Sequence, residues 1–175
     1  MPEIEVLHTY APELQALRKT CFPNADDSGE DPFNSNALFL VFRHGGQLIA
    51  SARLNTNPEG AFITQTKHKG AFRNLPDATD ICRVMIHPDF RADNTFSDFI
   101  TACLLYAKSL GYSYVNGAVN HGRPTLQKLL DLGFKIAGEP VVQYDPFGPE
   151  LLIQPLVCDL EGINQPGTIL CPTPS

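Results

Sequence analysis

Three absences bound this chain before any pattern in it is read. Basic residues are in deficit. Thirteen Lys and Arg stand against nineteen Asp and Glu in 175 residues, a formal charge of −6, with a pI near 5.2. A general nucleic-acid binder needs a basic face, and so does a protein that docks on an anionic membrane. The average charge argues against both and leaves only a local basic patch open. Long apolar runs are missing too. Nothing approaches the roughly 18 residues of a membrane-spanning helix, and Met1-Pro2-Glu3-Ile4-Glu5-Val6 lacks the basic segment and apolar run of a secretory leader. Paired cysteines are the third absence. Cys21, Cys82, Cys103, Cys158 and Cys171 are odd in number and widely spaced, with no C-x-x-C and no Cys/His ligand spacing. Neither a disulfide framework nor a zinc site is indicated, and reduced thiols in a cytoplasmic protein are the expectation.

What remains is an ordinary globular composition, 43% apolar and 18% charged. The length suits one domain with a proper core. The expectation is a single domain over 1–175 whose Pro- and Thr-rich tail, 163–175, is frayed. Residues 4–8 read as a short strand, and 12–20 carry Leu14, Leu17 and Arg18 at helical spacing behind Pro12. Residues 24–35 have loop composition. The runs 37–42 and 47–54 flank His44-Gly45-Gly46 and predict a hairpin. Residues 55–79 read as a long connection of the functional kind. A buried strand over 81–86 stops at Pro88. The clearest element is a helix over 93–110, with Phe96, Phe99, Ile100, Cys103, Leu104 and Ala107 on one face and Gly111 closing it. A strand over 112–119, a helix over 124–132 closed by Gly133, and strands over 134–137 and 151–160 complete the order. Mixed strands and helices of this kind predict an α+β domain around one central mixed sheet.

The chemistry concentrates in 80–138. A strand ends in Ile86-His87-Pro88-Asp89-Phe90-Arg91, and a short loop leads into the long helix. The first turn of a helix offers free N–H groups and the positive end of its dipole, which suits an anion. This segment resembles the GNAT acyltransferases, whose central strand is followed by H-P-x-x-R, a glycine-rich pyrophosphate loop and a long helix, and whose last helix ends in L-G-F. His87-Pro88-Asp89-Phe90-Arg91 and Leu132-Gly133-Phe134 carry the likeness. It covers the whole chain in element order and is close over 80–138. The loop departs from the family. It reads Arg91-Ala92-Asp93-Asn94-Thr95-Phe96, with no glycine. Asn94 is expected to take the left-handed conformation in place of the first glycine. Phe96 adds bulk and Asp93 a negative charge where phosphate would lie. A coenzyme A diphosphate is therefore expected to be less favoured than the single phosphodiester of an acyl carrier protein.

Asp80-Ile81-Cys82-Arg83 is also similar to the E-x-S-R motif of the acyl-homoserine-lactone synthases and the related N-acyl amino acid synthases. Arg18 and Phe22 match their upstream R-x-x-x-F element, and Asp26, Asp27 and Asp31 match an acidic loop. Gly138-Glu139-Pro140 with Tyr144 looks like the close of the N-acyl amino acid synthases. The resemblance implies an N-acyltransferase that moves a medium- or long-chain fatty acyl group from a thioester to the amine of an amino acid or peptide. The donor would be acyl carrier protein, with coenzyme A as the alternative. No permanently bound cofactor or metal is implied.

Amine acylation needs a neutral amine and fixed donors for the developing oxyanion. Asp80 is the candidate proton acceptor, directly or through water. Cys82 shares the strand face of Asp80 by period-two alternation, and Arg83, which points the other way unless a bulge intervenes, would orient a carboxylate in substrate or protein. Val84, Met85 and Ile86 would supply the backbone N–H for the oxyanion. Arg91, Ala92, Asp93, Asn94, Thr95 and Phe96 would hold the donor phosphate. Arg18, Phe22, Phe62, Phe72 and Tyr144 are candidate substrate contacts, and Phe99 and Leu104 fit either an acyl pocket or plain core. Simpler readings exist: Asp80 as an ion-pair partner of Arg83, Cys82 as a small core residue, Arg18 and Phe22 as neighbours on an amphipathic helix. Lys67, His68, Lys69 and Arg73 form a basic cluster that is either a solvated loop or a dock for an acidic carrier protein. Two other functions stay open, an acetyl-CoA-dependent N-acetyltransferase and a non-catalytic binder of acyl ligands.

Overall fold

The apolar runs beside Gly45 and Gly46 make the hairpin that the sequence predicts. In the computed structural model, which describes residues 4–24, 32–56, 75, 77–92, 94–143 and 151–164, β2 (Ala37–His44) and β3 (Gln47–Asn55) pair antiparallel from Ala37↔Asn55 to His44↔Gln47. Both turn glycines have positive φ, 56° and 83°, which a primed two-residue turn requires and glycine adopts without a Cβ penalty. β1 (Glu5–Leu7) lies on the outer edge of β2, and α1 (Pro12–Cys21) follows it. After the hairpin come β4 (Ala78–Ile86), α2 (Thr95–Ser109), β5 (Tyr114–Asn120), α3 (Pro124–Asp131), β6 (Phe134–Ile136), β7 (Val141–Gln143) and β8 (Leu151–Asp159).

The described strands form one eight-stranded sheet in the order β1-β2-β3-β4-β5-β8-β6, with β7 also on β8. Only β4 and β5 run parallel; the other pairs are antiparallel. This is the expected α+β architecture with a mixed central sheet. The elements differ from the sequence reading mostly at their ends. The helix expected from 93 starts at Thr95, and β4 starts at Ala78, inside the stretch read as a connection. A 3₁₀ turn, Pro32–Asn36, runs through the end of the stretch 24–35 read as loop. β7 was not expected. Its three residues are too few to show a period, and they are strand because β8 offers them an edge, Val141↔Ile153 to Gln143↔Leu151. Ile163, expected in the frayed tail, is held by Lys108, whose Nζ donates to its carbonyl at 2.7 Å.

The two faces of the sheet are covered separately. On one face α2 buries Phe99, Ile100, Cys103, Leu104 and Ala107 against Phe42, Leu54, Ile81, Val115 and Leu156, with Phe99 edge-on to Phe42 at 4.9 Å. Each such large side chain contributes about 2 kcal/mol of burial. Phe99 and Leu104 are therefore plain core and line no acyl pocket. On the other face α1 packs Leu14 and Leu17 over Ala37, Phe39, Val41, Leu48 and Met85. Arg43 on β2 ties this face together from the rim, donating to Glu5 of β1 and bidentately to Glu13 of α1 at 2.7–3.0 Å.

β4 carries the one irregularity that matters for the site. Between Arg53↔Cys82 and Ser51↔Met85, β4 has one residue more than β3. The extra residue is a bulge at Arg83 and Val84, and Arg83 has φ of 52°. A bulge swaps the faces of every residue beyond it. Met85 thus joins the α1 side, where unbroken alternation from Asp80 and Cys82 would have placed Val84.

Two outcomes test this description. An arginine in the left-handed region is strained, so Arg83→Gly should be about 1 kcal/mol more stable than Arg83→Ala in urea unfolding, the reverse of the usual order. Arg43→Ala should lower stability by about 1 kcal/mol at neutral pH, a modest figure because the pairs are partly exposed. Arg43 holds the Glu13 carboxyl below its usual value, chiefly by hydrogen bonding. A depressed carboxylate stabilises above its unfolded pKa and loses that contribution as pH falls through the folded one. The gap between wild type and Arg43→Ala should therefore close in unfolding curves taken below about pH 4.

Candidate active site

The parallel ladder between β4 and β5 is short. It holds Ala78↔Tyr114, Thr79↔Val115 and Asp80↔Asn116, and it goes no further. β4 runs on to Ile86 and β5 to Asn120 without meeting. β5 follows β8 instead, in register from Tyr114↔Asp159 to Asn120↔Ile153, while the bulge bends β4 away. The strands part like the arms of a V.

A cleft of about 590 Å³ opens in that gap. Val84, Met85 and Ile86 form one wall and Ala118, Val119 and Asn120 the other. Cys21 and Phe22 close it from the end of α1, Arg91 and Phe96 from the approach to α2, and Arg123, Thr125 and Lys128 from α3. Three cations, Arg91, Arg123 and Lys128, therefore face one cleft in a chain whose net charge is −6. Lys128 Nζ lies 5.9 Å from the Phe96 ring centre, within cation–π range.

The His-Pro-x-x-Arg motif builds the mouth of this cleft. His87 Nδ1 accepts the Asp89 N–H at 3.3 Å and caps the 3₁₀ turn Pro88–Phe90. Arg91 Nε donates to the Ile86 carbonyl at 3.0 Å, closing the end of β4. The Cys21 thiol donates to the same carbonyl at 3.3 Å. Asn94 caps α2 with φ of −73°, right-handed, so it does not take the left-handed place expected of it. The turn closes without that conformation because the 3₁₀ turn and Arg91 already redirect the chain. Asn94 makes no side-chain cap bond to the first turn of α2, whose N–H groups suit an anion. Ala92 and Thr95 flank the mouth without lining the cleft, and Asp93 lies outside the described residues.

The Asp-x-Cys-Arg stretch sits deeper in the sheet. Asp80, 1% exposed, lies in register between Asn55 of β3 and Asn116 of β5. Cys82 faces Arg53, whose Nε approaches its sulfur at 3.4 Å and whose Nη1 donates to Asn34 Oδ1 at 2.9 Å. Burial pushes the Cys82 thiol up; Arg53 opposes the shift and Asp80 adds to it. A thiol held protonated is a poor nucleophile. Asp80, Cys82 and Arg83 do not line the cleft. Asp80 to Val84 is roughly 13 Å along an extended strand. The structure thus brings together Phe22, Val84, Met85, Ile86, Arg91 and Phe96, and holds the three Asp-x-Cys-Arg side chains apart from them.

Phe22 is 45% exposed at the cleft, and its ring stacks against the Arg18 guanidinium at 5.8 Å. Phe62, Phe72 and Tyr144 lie outside the described residues, as do Lys67, His68, Lys69 and Arg73 and the acidic Asp26, Asp27 and Asp31. The sequence reading missed Arg53, Arg123 and Lys128. Arg53 had a signal, a charge inside the apolar run of β3. Ser51, Arg53 and Asn55 alternate at period two as a solvent face would, yet all three are buried, Arg53 at 3% exposure. Arg123 and Lys128 had none, since nothing local says that α3 faces the mouth of α2.

No protein-family model matches the chain, and no curated protein matches it. Solved structures do. The described fold is that of the GNAT N-acetyltransferases, a mixed sheet flanked by helices. One similar structure is a CoA-dependent acyl-homoserine lactone synthase, BjaI, with SAM and isopentyl-CoA: TM-score 0.69, 13% identity, 91% of this chain and 84% of that one covered. Another is the Bacillus subtilis acetyltransferase in complex with CoA, at TM-score 0.63 and 14% identity over 91% and 99% of the two chains. A third is the ribosomal-protein-S18-alanine N-acetyltransferase of Escherichia coli, at 0.59 and 10% over 96% and 99%.

The thiols offer a direct check on the cleft. Burial raises Cys103, and it raises Cys158 to about 11. Cys21 is raised as well, with Arg91 opposing the shift, but it alone of the described cysteines lines the cleft. Iodoacetamide at pH 8 should modify Cys21 before Cys103 and Cys158, as read by peptide mass spectrometry, and a ligand in the cleft should slow that modification.

Proposed function

We propose that this chain is an N-acyltransferase that moves a fatty acyl group from a phosphopantetheine thioester to an amine. One observation carries the reading: an apolar-walled cleft between diverging strands, ending near the N-terminus of α2 on three cations. The pantetheine arm would lie between β4 and β5, where unpaired backbone takes its amides. Val84, Ile86, Val119 and Phe96 give the acyl chain apolar surface.

Attack is direct. The amine nitrogen bonds to the thioester carbonyl carbon, the C–S bond breaks, and the sulfur departs as a thiolate that takes up the proton lost by the amine. Asp80 accepts the amine proton through water, since it stands back from the cleft. A backbone N–H among Val84, Met85 and Ile86 meets the oxyanion. Arg83 and Arg18 hold the surrounding geometry, Phe22 borders the acceptor side, and Cys82 stays a thiol.

Three cations favour coenzyme A, whose phosphates carry several charges. Acyl carrier protein is the second reading, supported by the bulk of Phe96 where backbone would otherwise approach phosphate. Thiol release from decanoyl-CoA, decanoyl carrier protein and acetyl-CoA, each with a panel of amines, tests all of this. The expected result is turnover with the decanoyl donors above that with acetyl-CoA. Arg123→Ala with Lys128→Ala should raise the decanoyl-CoA KM about tenfold at low salt, less at high salt. Asp80→Asn should lower kcat about a hundredfold with the donor KM unchanged. Full activity in Asp80→Asn, or no thiol release from any donor, would overturn the reading.

A further inference from the structure

A second cleft, of about 400 Å³, lies on β5, β8 and β6. No described residue lines both it and the cleft between β4 and β5. Its floor is a row of side chains set by register. Asn116 pairs with Val157, and Val157 with Lys135. Residues in register share a face, so Asn116 and Lys135 flank Val157 on one side of the sheet. Adjacent strands are about 4.8 Å apart, which separates the Asn116 and Lys135 backbones by about 10 Å. A long lysine side chain and a short amide can converge across that distance on one group lying over Val157. Tyr114 is two residues from Asn116, on the same face.

Asn116 is 1% exposed, and its Nδ2 has no hydrogen-bond partner among the described residues. A buried donor left unmade is costly, and native structures rarely keep one without a use. The Lys135 ammonium and the Tyr114 hydroxyl add donors to the same cleft. The carboxylate among its described lining residues, Asp159, already accepts the Glu161 N–H at 2.9 Å and holds the turn after β8. A ligand for this cleft must therefore bring acceptors. One negative charge matches the one cation among the described lining residues. A phosphate monoester, with nearly two charges, would call for a second cation.

The rest of the lining is apolar: Leu75, Ile136, Ala137 and Val157. Ile136 sits on β6, at the end of the strand order, and is 57% exposed. A large apolar side chain kept at the surface beside a cation is what an anion with an apolar body covers. The volume lies toward the small end of sites that take small organic molecules.

We propose that the second cleft is a binding site for a small carboxylic acid with an apolar body, its carboxylate on Asn116 Nδ2 and Lys135 and its body over Val157, Leu75 and Ile136. The ligand has no amine and is not an acyl acceptor. Asn116 is also the last partner of Asp80 in the parallel ladder, so the bound acid braces the row at which β4 and β5 part. The site goes beyond the N-acyltransferase reading and does not rest on it.

Calorimetry on the full chain with hexanoate, octanoate, decanoate and phenylacetate tests this, with octanol and octylamine as controls. At least one acid should bind with a Kd below about 1 mM, more than tenfold tighter than either control. Lys135→Glu, at an exposed position, and Asn116→Ala should each weaken that acid more than tenfold, and Lys135→Arg should keep most of the affinity. Asn116→Asp, nearly isosteric, guards against loss of packing and should weaken the acid at least as much as Asn116→Ala. Hydrogen exchange should slow in 114–117 and 134–137 when the acid binds. Saturating CoA should leave the acid's affinity unchanged, and the acid should not slow alkylation of Cys21 in the first cleft. Octanol or octylamine binding as tightly as the acids would overturn the carboxylate assignment, and so would unchanged affinity in Lys135→Glu. Displacement by CoA would put the acid in the first cleft and overturn the site. Failure of all four acids to bind would overturn it too and leave Asn116 to a buried water. None of these readouts needs turnover, so the N-acyltransferase reading stands or falls separately.

Discussion

The arrangement of this molecule depends on three residue pairs of parallel ladder. β4 and β5 stay hydrogen-bonded only as far as Asp80↔Asn116. Beyond that row each strand has a stronger claim on it from its other side. β5 is held by an antiparallel partner along its length, and β4 is held by β3 through the bulge at Arg83. A closed sheet would leave no room between them. Parting the strands exposes backbone groups that want partners, and it does so beside the first turn of α2, where further N–H groups are free. The cleft is thus a consequence of where hydrogen bonding stops. Sheet topology supplies its apolar walls.

The second constraint is the buried polar row. Asn55, Asp80 and Asn116 lie side by side across β3, β4 and β5, and Arg53 and Cys82 lie one step along. Burying so many polar groups destabilises a fold unless each is satisfied. Core packing on the α2 face offsets that expense: an unbroken apolar helix face sits on apolar strands. The polar groups thus share the sheet's other face with α1, whose own contacts are shifted toward β2 and β3. Among the described residues, a second cleft lies on the β5–β8–β6 part of that face, beside Asp80.

The opening reading put a candidate donor site in 80–138, and the structure gives several of its residues local roles of another kind. His87, Pro88 and Arg91 were read as marks of a phosphate loop. They act first as backbone devices, capping a turn and the end of a strand. Asn94 was expected left-handed and is right-handed. The loop sequence alone, with Asp93 and Phe96, argued against a donor of high charge. Arg123 and Lys128 alter that balance, and they come from a helix some thirty residues further along the chain. Phe99 and Leu104 resolved to core because α2 turns its whole apolar face to the sheet.

Local chemistry made much of this legible in the sequence. A Gly-Gly turn between apolar runs signals a hairpin, and apolar residues at helical spacing over the twelve residues 96–107 signal a helix with one buried face. The order of elements and the place of the strand-to-helix loop follow from such patterns, because each depends on residues close in the chain. The sites depend on residues that are not. Whether β4 and β5 part, which face a bulge gives to Met85, that Arg53 is buried, and that Asn116 sits beside Asp80 are settled by hydrogen-bond registers between strands distant in sequence. Register is a property of pairs of strands, and a single strand carries no record of its partner's alignment.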